Sequence, residues 1–174
     1  MPLDPAPARA SYRLFRVDDR LLHGQVALAW GRQLSPRHFL LADDRLAVDA
    51  EAARIFALCA PEGCDVSIAS IESLLRGNGD LPEPASSVLL VRGLAEAARL
   101  LRGGVPGPVN LGGIHAHPGA RQVFPYLFLT PPEESLVAAL LAEGHALFAQ
   151  DLPQNTKRDA GDWLRLSAGS ARSE

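Results

Sequence analysis

The sequence predicts an α/β protein: a single domain built on one doubly wound, mostly parallel sheet of about seven strands, with helices on both faces. Three observations carry this. Short apolar runs alternate with helical periods along the chain, which is the pattern of strand–helix–strand units that build a parallel sheet. The length of 174 residues suits one domain large enough to bury a core. No repeat, low-complexity block or linker interrupts the pattern.

Residues 12–17 (YRLFRV) read as the first strand. Residues 24–34 (GQVALAWGRQL) follow as a helix, with Val26, Trp30 and Leu34 on one face. Residues 38–42 (HFLLA) make the second strand, and 48–60 (VDAEAARIFALCA) an alanine-rich helix closed by Pro61 and Gly63. CDVSIA (64–69) is the third strand. SIESLLRG (70–77) is a short helix with Ser70 as N-cap and Gly77 as its stop.

After turn material at 78–87, SVLLVR gives a fully apolar fourth strand, and LAEAARLLRGG a helix ended by Gly103 and Gly104. PVNLGGI (108–114) is a fifth strand running into a glycine-rich loop. QVFPYLFL (122–129) is a sixth, with Pro125 marking an edge or bulge. TPPEESLVAALLAEG is the clearest helix: Thr130 caps it, Pro131 opens the first turn and Glu133 completes a capping box. HALFAQ is the last short strand. Residues 1–11 read as a disordered leader, 12–156 as the domain, and 157–174 as one short helix and a tail.

Composition removes several function classes. The chain is 47% hydrophobic and 21% charged, with net charge −3 and pI about 5.9. That is no nucleic-acid footprint, which needs a strongly basic face. No segment is long and apolar enough to span a membrane, and the N-terminus lacks the blocks of a signal peptide. Cys59 and Cys64 form neither a disulfide framework nor, without further Cys or nearby His, a zinc site. They read as small thiols in a reducing cytoplasm.

In doubly wound sheets the functional crevice lies at the carboxyl ends of the strands. The loop after the first strand carries Asp18, Asp19, Arg20 and His23; the second, Asp43, Asp44 and Arg45; the fifth, Gly112, Gly113, His115 and His117. His23 stands just ahead of a helix, beside Gly24. Free amides at a helix start attract anions, and the positive dipole end keeps an imidazole neutral, hence nucleophilic. Arg20 offers a forked donor for a tetrahedral anion, and Asp18 or Asp19 can fix the ring's tautomer. These groups describe a histidine that accepts a phosphoryl group. The same residues also fit a capping histidine and a salt-bridged turn.

The stretch VDDRLLHGQVALAW resembles the signature of the IIB subunits of the mannose/fructose/sorbose class of the bacterial phosphotransferase system (PTS), R-[IV]-D-D-R-L-I-H-G-Q-V with a tryptophan a few residues on. Arg16, Asp18, Asp19, Arg20, Leu21, His23, Gly24, Gln25, Val26 and Trp30 match. LLADDRLAVDA, APEGCDVSIAS, VNLGGIH and EGHALFAQDLPQ match further family segments in order, so the resemblance covers roughly residues 12–155. It implies a cytoplasmic phosphotransferase that accepts a phosphoryl group from a phosphorylated IIA protein on His23, at Nδ1. The group then passes to a sugar held by membrane IIC/IID partners. His23, Arg20, Asp18 and Asp19 are the expected catalytic group, and Gly24, Gln25, Gly112 and Gly113 the expected phosphate-binding loop residues. No metal, cofactor or nucleic acid is implied; homo-oligomerisation stays open.

The second reading, of a different class, is a regulatory phospho-acceptor module of an incomplete phosphotransferase system, signalling by its added charge. His115 and His117 could bind a metal or simply line a solvated loop. Asp43 and Asp44 could hold magnesium, but such sites usually pair with a lysine, and Lys157 is the only one. His38 and His145 read as structural.

Overall fold

The computed structural model describes residues 9–170. Most of the expected leader and the end of the tail lie outside the described residues. The main sheet contains β1 (Leu14–Asp18), β2 (His38–Ala42), β3 (Asp65–Ala69), β4 (Ser87–Val91), β5 (Val109–Gly113), β8 (Leu147–Ala149) and β9 (Arg158–Asp159). Their order is β3-β2-β4-β1-β5-β8-β9. All neighbours are parallel except β8 and β9. The expected α/β sheet of about seven strands, mostly parallel, is therefore present.

Its membership differs from the sequence reading in one respect. QVFPYLFL is not one strand of this sheet. It forms two, β6 (Arg121–Phe124) and β7 (Leu127–Leu129), paired antiparallel as a separate ribbon. Pro125 has no N–H to offer a ladder, so the chain turns there. The seventh place goes to β9, a two-residue strand pairing with β8.

Helices cover both faces. One carries α3 (Ile71–Arg76), α4 (Leu94–Arg102), α5 (Pro131–Ala142) and α6 (Ala160–Ser170) over Phe15, Val17, Leu89, Val91, Val109 and Leu111. The other carries a helical stretch over 24–34 and α2 (Ala50–Ala57), over Leu14, Phe39, Leu41, Val88 and Leu90. Caps follow the sequence: Asp49 caps α2, Ser70 caps α3, and Thr130 with Glu133 forms the capping box of α5. The stretch after β1 is not a plain α-helix. Val26–Trp30 is π-helical and α1 proper is Gly31–Leu34. This phase still buries Val26, Ala27 and Trp30 against the sheet.

The chain leaves β1 towards β2 on one face and leaves β4 towards β5 on the other. β1 and β4 are neighbours, so the switch point lies between them. It opens at their carboxyl ends, where Asp18, Asp19 and Arg92 stand.

Candidate functional site

β1 is buried along its whole length although two of its five residues are charged. Side chains alternate across a strand. Phe15 and Val17 enter the larger core, while Arg16 and Asp18 share the opposite face with Leu14. Arg16 is 3% exposed and Asp18 fully buried. A buried charge needs a partner and filled hydrogen bonds, and both have them. Arg16 Nη2 and Nε donate to Asp18 Oδ2 at 2.8 and 3.2 Å. Arg16 Nη1 donates to Asn110 Oδ1 at 2.6 Å and to the carbonyls of Gln150 and Asp151 at 3.1 and 3.2 Å. Trp30 lies against the guanidinium, 5.8 Å from Cζ to ring centroid, and its Nε1 donates to Asp151 O at 2.9 Å.

β5 clears the space. A methyl group at Gly112 would overlap the Arg16 guanidinium, and one at Gly113 would lie 3.0 Å from Asp18 Oδ2. Both glycines are buried inside β5, not in a loop beyond it. The expected phosphate-binding loop position is corrected accordingly: they form the wall behind Arg16 and Asp18.

After Asp18 the chain turns sharply. Leu21 N donates back to Asp18 O at 2.9 Å, and Leu21 takes the left-handed conformation, φ 55°. That costs a non-glycine residue roughly 1–2 kcal/mol. Full burial of the leucine side chain contributes about 1.5–3 kcal/mol and holds the turn. The turn delivers His23 to the helix start, where its carbonyl accepts from Ala27 N at 2.8 Å.

His23 Nε2 lies 3.1 Å from Asp18 Oδ2, the oxygen that Arg16 also holds. Asp18 Oδ1 accepts from Arg20 N at 3.2 Å, with the half-exposed Arg20 guanidinium 3.9 Å away. Arg20 Nη2 donates to Gln25 Oε1 at 3.3 Å. Gly24 is exposed, with open space where a side chain would stand.

Burial alone would push the Asp18 carboxyl up. The hydrogen bond with His23 and the Arg16 guanidinium outweigh it and hold the group below the usual carboxylate range. Burial pushes Arg16 down from the usual arginine value, and Asp18 restores part of this. A carboxyl depressed by folding contributes stability that is complete above its unfolded pKa, about 4, and lost as pH falls through its folded value. Urea-unfolding midpoints measured from pH 6 to pH 2 should therefore fall on the acid side of pH 4, and the Asp18→Asn variant should show a shallower fall.

A family model described as the PTS system sorbose subfamily IIB component matches residues 12–173. The chain belongs to this family. As a IIB component it is a phosphotransferase, the sugar-specific phosphoryl-transfer part of its system. The PTS system mannose-specific EIIAB component of Escherichia coli K12 is 31% identical over 113 residues, which are 63% of this chain and 35% of that protein. The chain thus spans about a third of that relative. The PTS system fructose-specific EIIB component of Bacillus subtilis is 25% identical over 154 residues, covering 87% of this chain and 94% of that one. The IIBSor domain of the sorbose permease of Klebsiella pneumoniae shares the fold: TM-score 0.80 and 22% identity over 91% of this chain and 98% of that one.

This IIB component brings the expected catalytic residues together, but in two groups. Asp18, Arg20 and His23 form one. Asp19 faces elsewhere: its Oδ1 and Oδ2 lie 2.7 Å from His115 Nδ1 and His115 N, respectively. Gln25 reaches Arg20, as above. His115 and His117 hold separate partners. His117 Nδ1 donates to His115 O at 2.9 Å and Nε2 to Glu133 Oε2 at 3.2 Å. The His115 carbonyl, with Glu133, raises the His117 pKa.

Asp43 and Asp44 are committed to structure. Asp43 accepts from the amides of Arg45 and Leu46 and from Arg92 Nε; Asp44 accepts from Ile71 N and Arg99 Nη1. Trp30 stands on the expected helix face, and Asn110 and Gln150 lie in segments that match the family, but none of these, nor Arg92, is among the expected site residues. Arg92 spans the switch point, donating to Asp43 Oδ2 at 2.7 Å and Asp19 O at 3.0 Å. The available signal was an asparagine two residues before a glycine pair in an otherwise apolar strand.

Proposed function

We propose that His23 receives a phosphoryl group from a phosphorylated IIA protein in the cytoplasm and passes it to a sugar presented by membrane IIC/IID partners. The observation that carries this reading is the contact between His23 Nε2 and the buried Asp18 carboxylate at 3.1 Å. An ionised carboxylate only accepts, so Nε2 carries the proton and the Nδ1 lone pair is the nucleophile. The carboxylate orients the ring and fixes its tautomer. Arg20 and the first helical amides, at Gly24 and Gln25, supply donors for the phosphoryl oxygens at the positive end of the helix. Catalysis is then mainly positioning and electrostatics.

The test is phosphorylation by radiolabelled phosphoenolpyruvate through Enzyme I, HPr and a cognate IIA protein. A chase follows, with membranes of the source cells and mannose, fructose, sorbose or N-acetylgalactosamine. Wild type should take up label and discharge it to one of these sugars. His23→Ala should take up none while still folding cooperatively, with its thermal midpoint lowered by the loss of one hydrogen bond to the buried Asp18 carboxylate. Arg20→Ala should be labelled about 10²-fold more slowly, the usual cost of one charge-stabilising donor. Wild-type labelling of His23→Ala removes His23 from the reaction, and wild-type rates for Arg20→Ala remove Arg20.

A further inference from the structure

Asp18 and Asp19 are consecutive, and each holds one imidazole. Asp18 Oδ2 meets His23 at Nε2, 3.1 Å, and Asp19 Oδ1 meets His115 at Nδ1, 2.7 Å. The nitrogens left over are opposite in kind: Nδ1 on His23 and Nε2 on His115. His115 is fixed rigidly. Asp19 Oδ2 accepts its backbone N–H at 2.7 Å, and His117 donates to its carbonyl at 2.9 Å. Asp19 is fixed in turn by its own N–H to Gly113 O at 2.9 Å and by Arg92 on its carbonyl. The His115 side chain is 53% exposed, and its Nε2 has no partner among the described residues. The two imidazoles rise from the carboxyl ends of adjacent strands, where Asp18 is in register with Gly113.

The two halves of a phosphoryl relay differ in their need for a base. Histidine-to-histidine transfer moves no proton: the departing nitrogen recovers its electron pair, and the accepting one uses a lone pair already free. Transfer to a hydroxyl releases a proton. Resting on the carrier reading of His23, we propose that His115 is the general base of the delivery half-reaction. The N–P bond at His23 Nδ1 breaks and its electron pair returns to Nδ1. An O–P bond forms to the sugar hydroxyl, and the hydroxyl proton moves to His115 Nε2. The His115 Nδ1–H stays hydrogen-bonded to Asp19 Oδ1 throughout, and the proton taken up at Nε2 leaves to solvent. An imidazole held by a carboxylate through one nitrogen, with the other open, is the arrangement of a general base.

The discriminating variant is His115→Asn. The asparagine amide can still donate to Asp19 from the position of Nδ1 but has nothing at Nε2. Wild type and variant are charged with radiolabelled phosphoenolpyruvate, Enzyme I, HPr and IIA, then chased with the sugar panel and membranes. Phosphoryl loss to water from the free protein is followed in parallel. The variant should charge at the wild-type rate and discharge about 10²-fold more slowly to either acceptor. Equal discharge rates overturn the proposal. A variant that charges slowly as well shows a positioning role and overturns it too. Failure of the wild type to take label on His23 overturns the carrier reading itself.

Discussion

Replacing Asp18 by asparagine should lower the rate of phosphoryl uptake by about 10²–10⁴-fold and destabilise the fold by about 3–5 kcal/mol. Both carboxylate oxygens accept: Oδ2 from Arg16 and His23, Oδ1 from the Arg20 amide. An amide has one acceptor and one donor. Whichever way the asparagine turns, its NH₂ faces a donor. Facing His23, it favours the wrong tautomer and leaves Nδ1 protonated. In either orientation Arg16 becomes a buried cation without its counter-charge, which is the costly way to break such a pair. Single-turnover phosphorylation and urea unfolding on the same preparation measure both effects. A variant with full rate and full stability would show that neither the tautomer nor the ion pair depends on the Asp18 charge.

Gly112→Ala should be comparably severe without replacing any ionisable group, losing about 3–5 kcal/mol. The added methyl overlaps the Arg16 guanidinium. The guanidinium cannot move aside while keeping Asn110, Asp18 and the carbonyls of Gln150 and Asp151. Gly24→Ala is the matched control for stability, because nothing lies within 4 Å of the added atom; it should unfold within about 1 kcal/mol of wild type. Unfolding curves for the two variants side by side check this. Equal midpoints would mean that β5 does not wall in Arg16.

The parts of the fold legible in the sequence are those whose signal is local. The apolar runs of β2 and β4 marked their strands, and the Ser70 and Thr130 caps fixed the starts of α3 and α5. The cluster in the first loop marked the site through the resemblance of VDDRLLHGQVALAW to the IIB signature, because by themselves the same residues also fit a capping histidine and a salt-bridged turn. What stayed hidden depends on distant contacts. Arg16 and Asn110 are 94 positions apart, and their hydrogen bond explains why a charge sits in a buried strand. Gly112 and Gly113 read as loop residues because glycine favours loops; the neighbouring strand is what needs their missing side chains. Asp18 and Asp19 look equivalent in the sequence, yet the strand ends between them, so one faces His23 and the other His115. Arg158 and Asp159 carry no apolar pattern, and only the edge of β8 makes them a strand.

In the proposed mechanism Asp18 holds His23 Nε2 and leaves Nδ1 to take the phosphoryl group. The most direct measurement is nitrogen and phosphorus NMR of the protein labelled with ¹⁵N-histidine, before and after phosphorylation through the IIA protein. A single phosphorylated imidazole is expected, modified at Nδ1, with Nε2 still protonated, and the signal missing from His23→Ala. A phosphoryl group on Nε2 of His23, or on any other histidine, would contradict it.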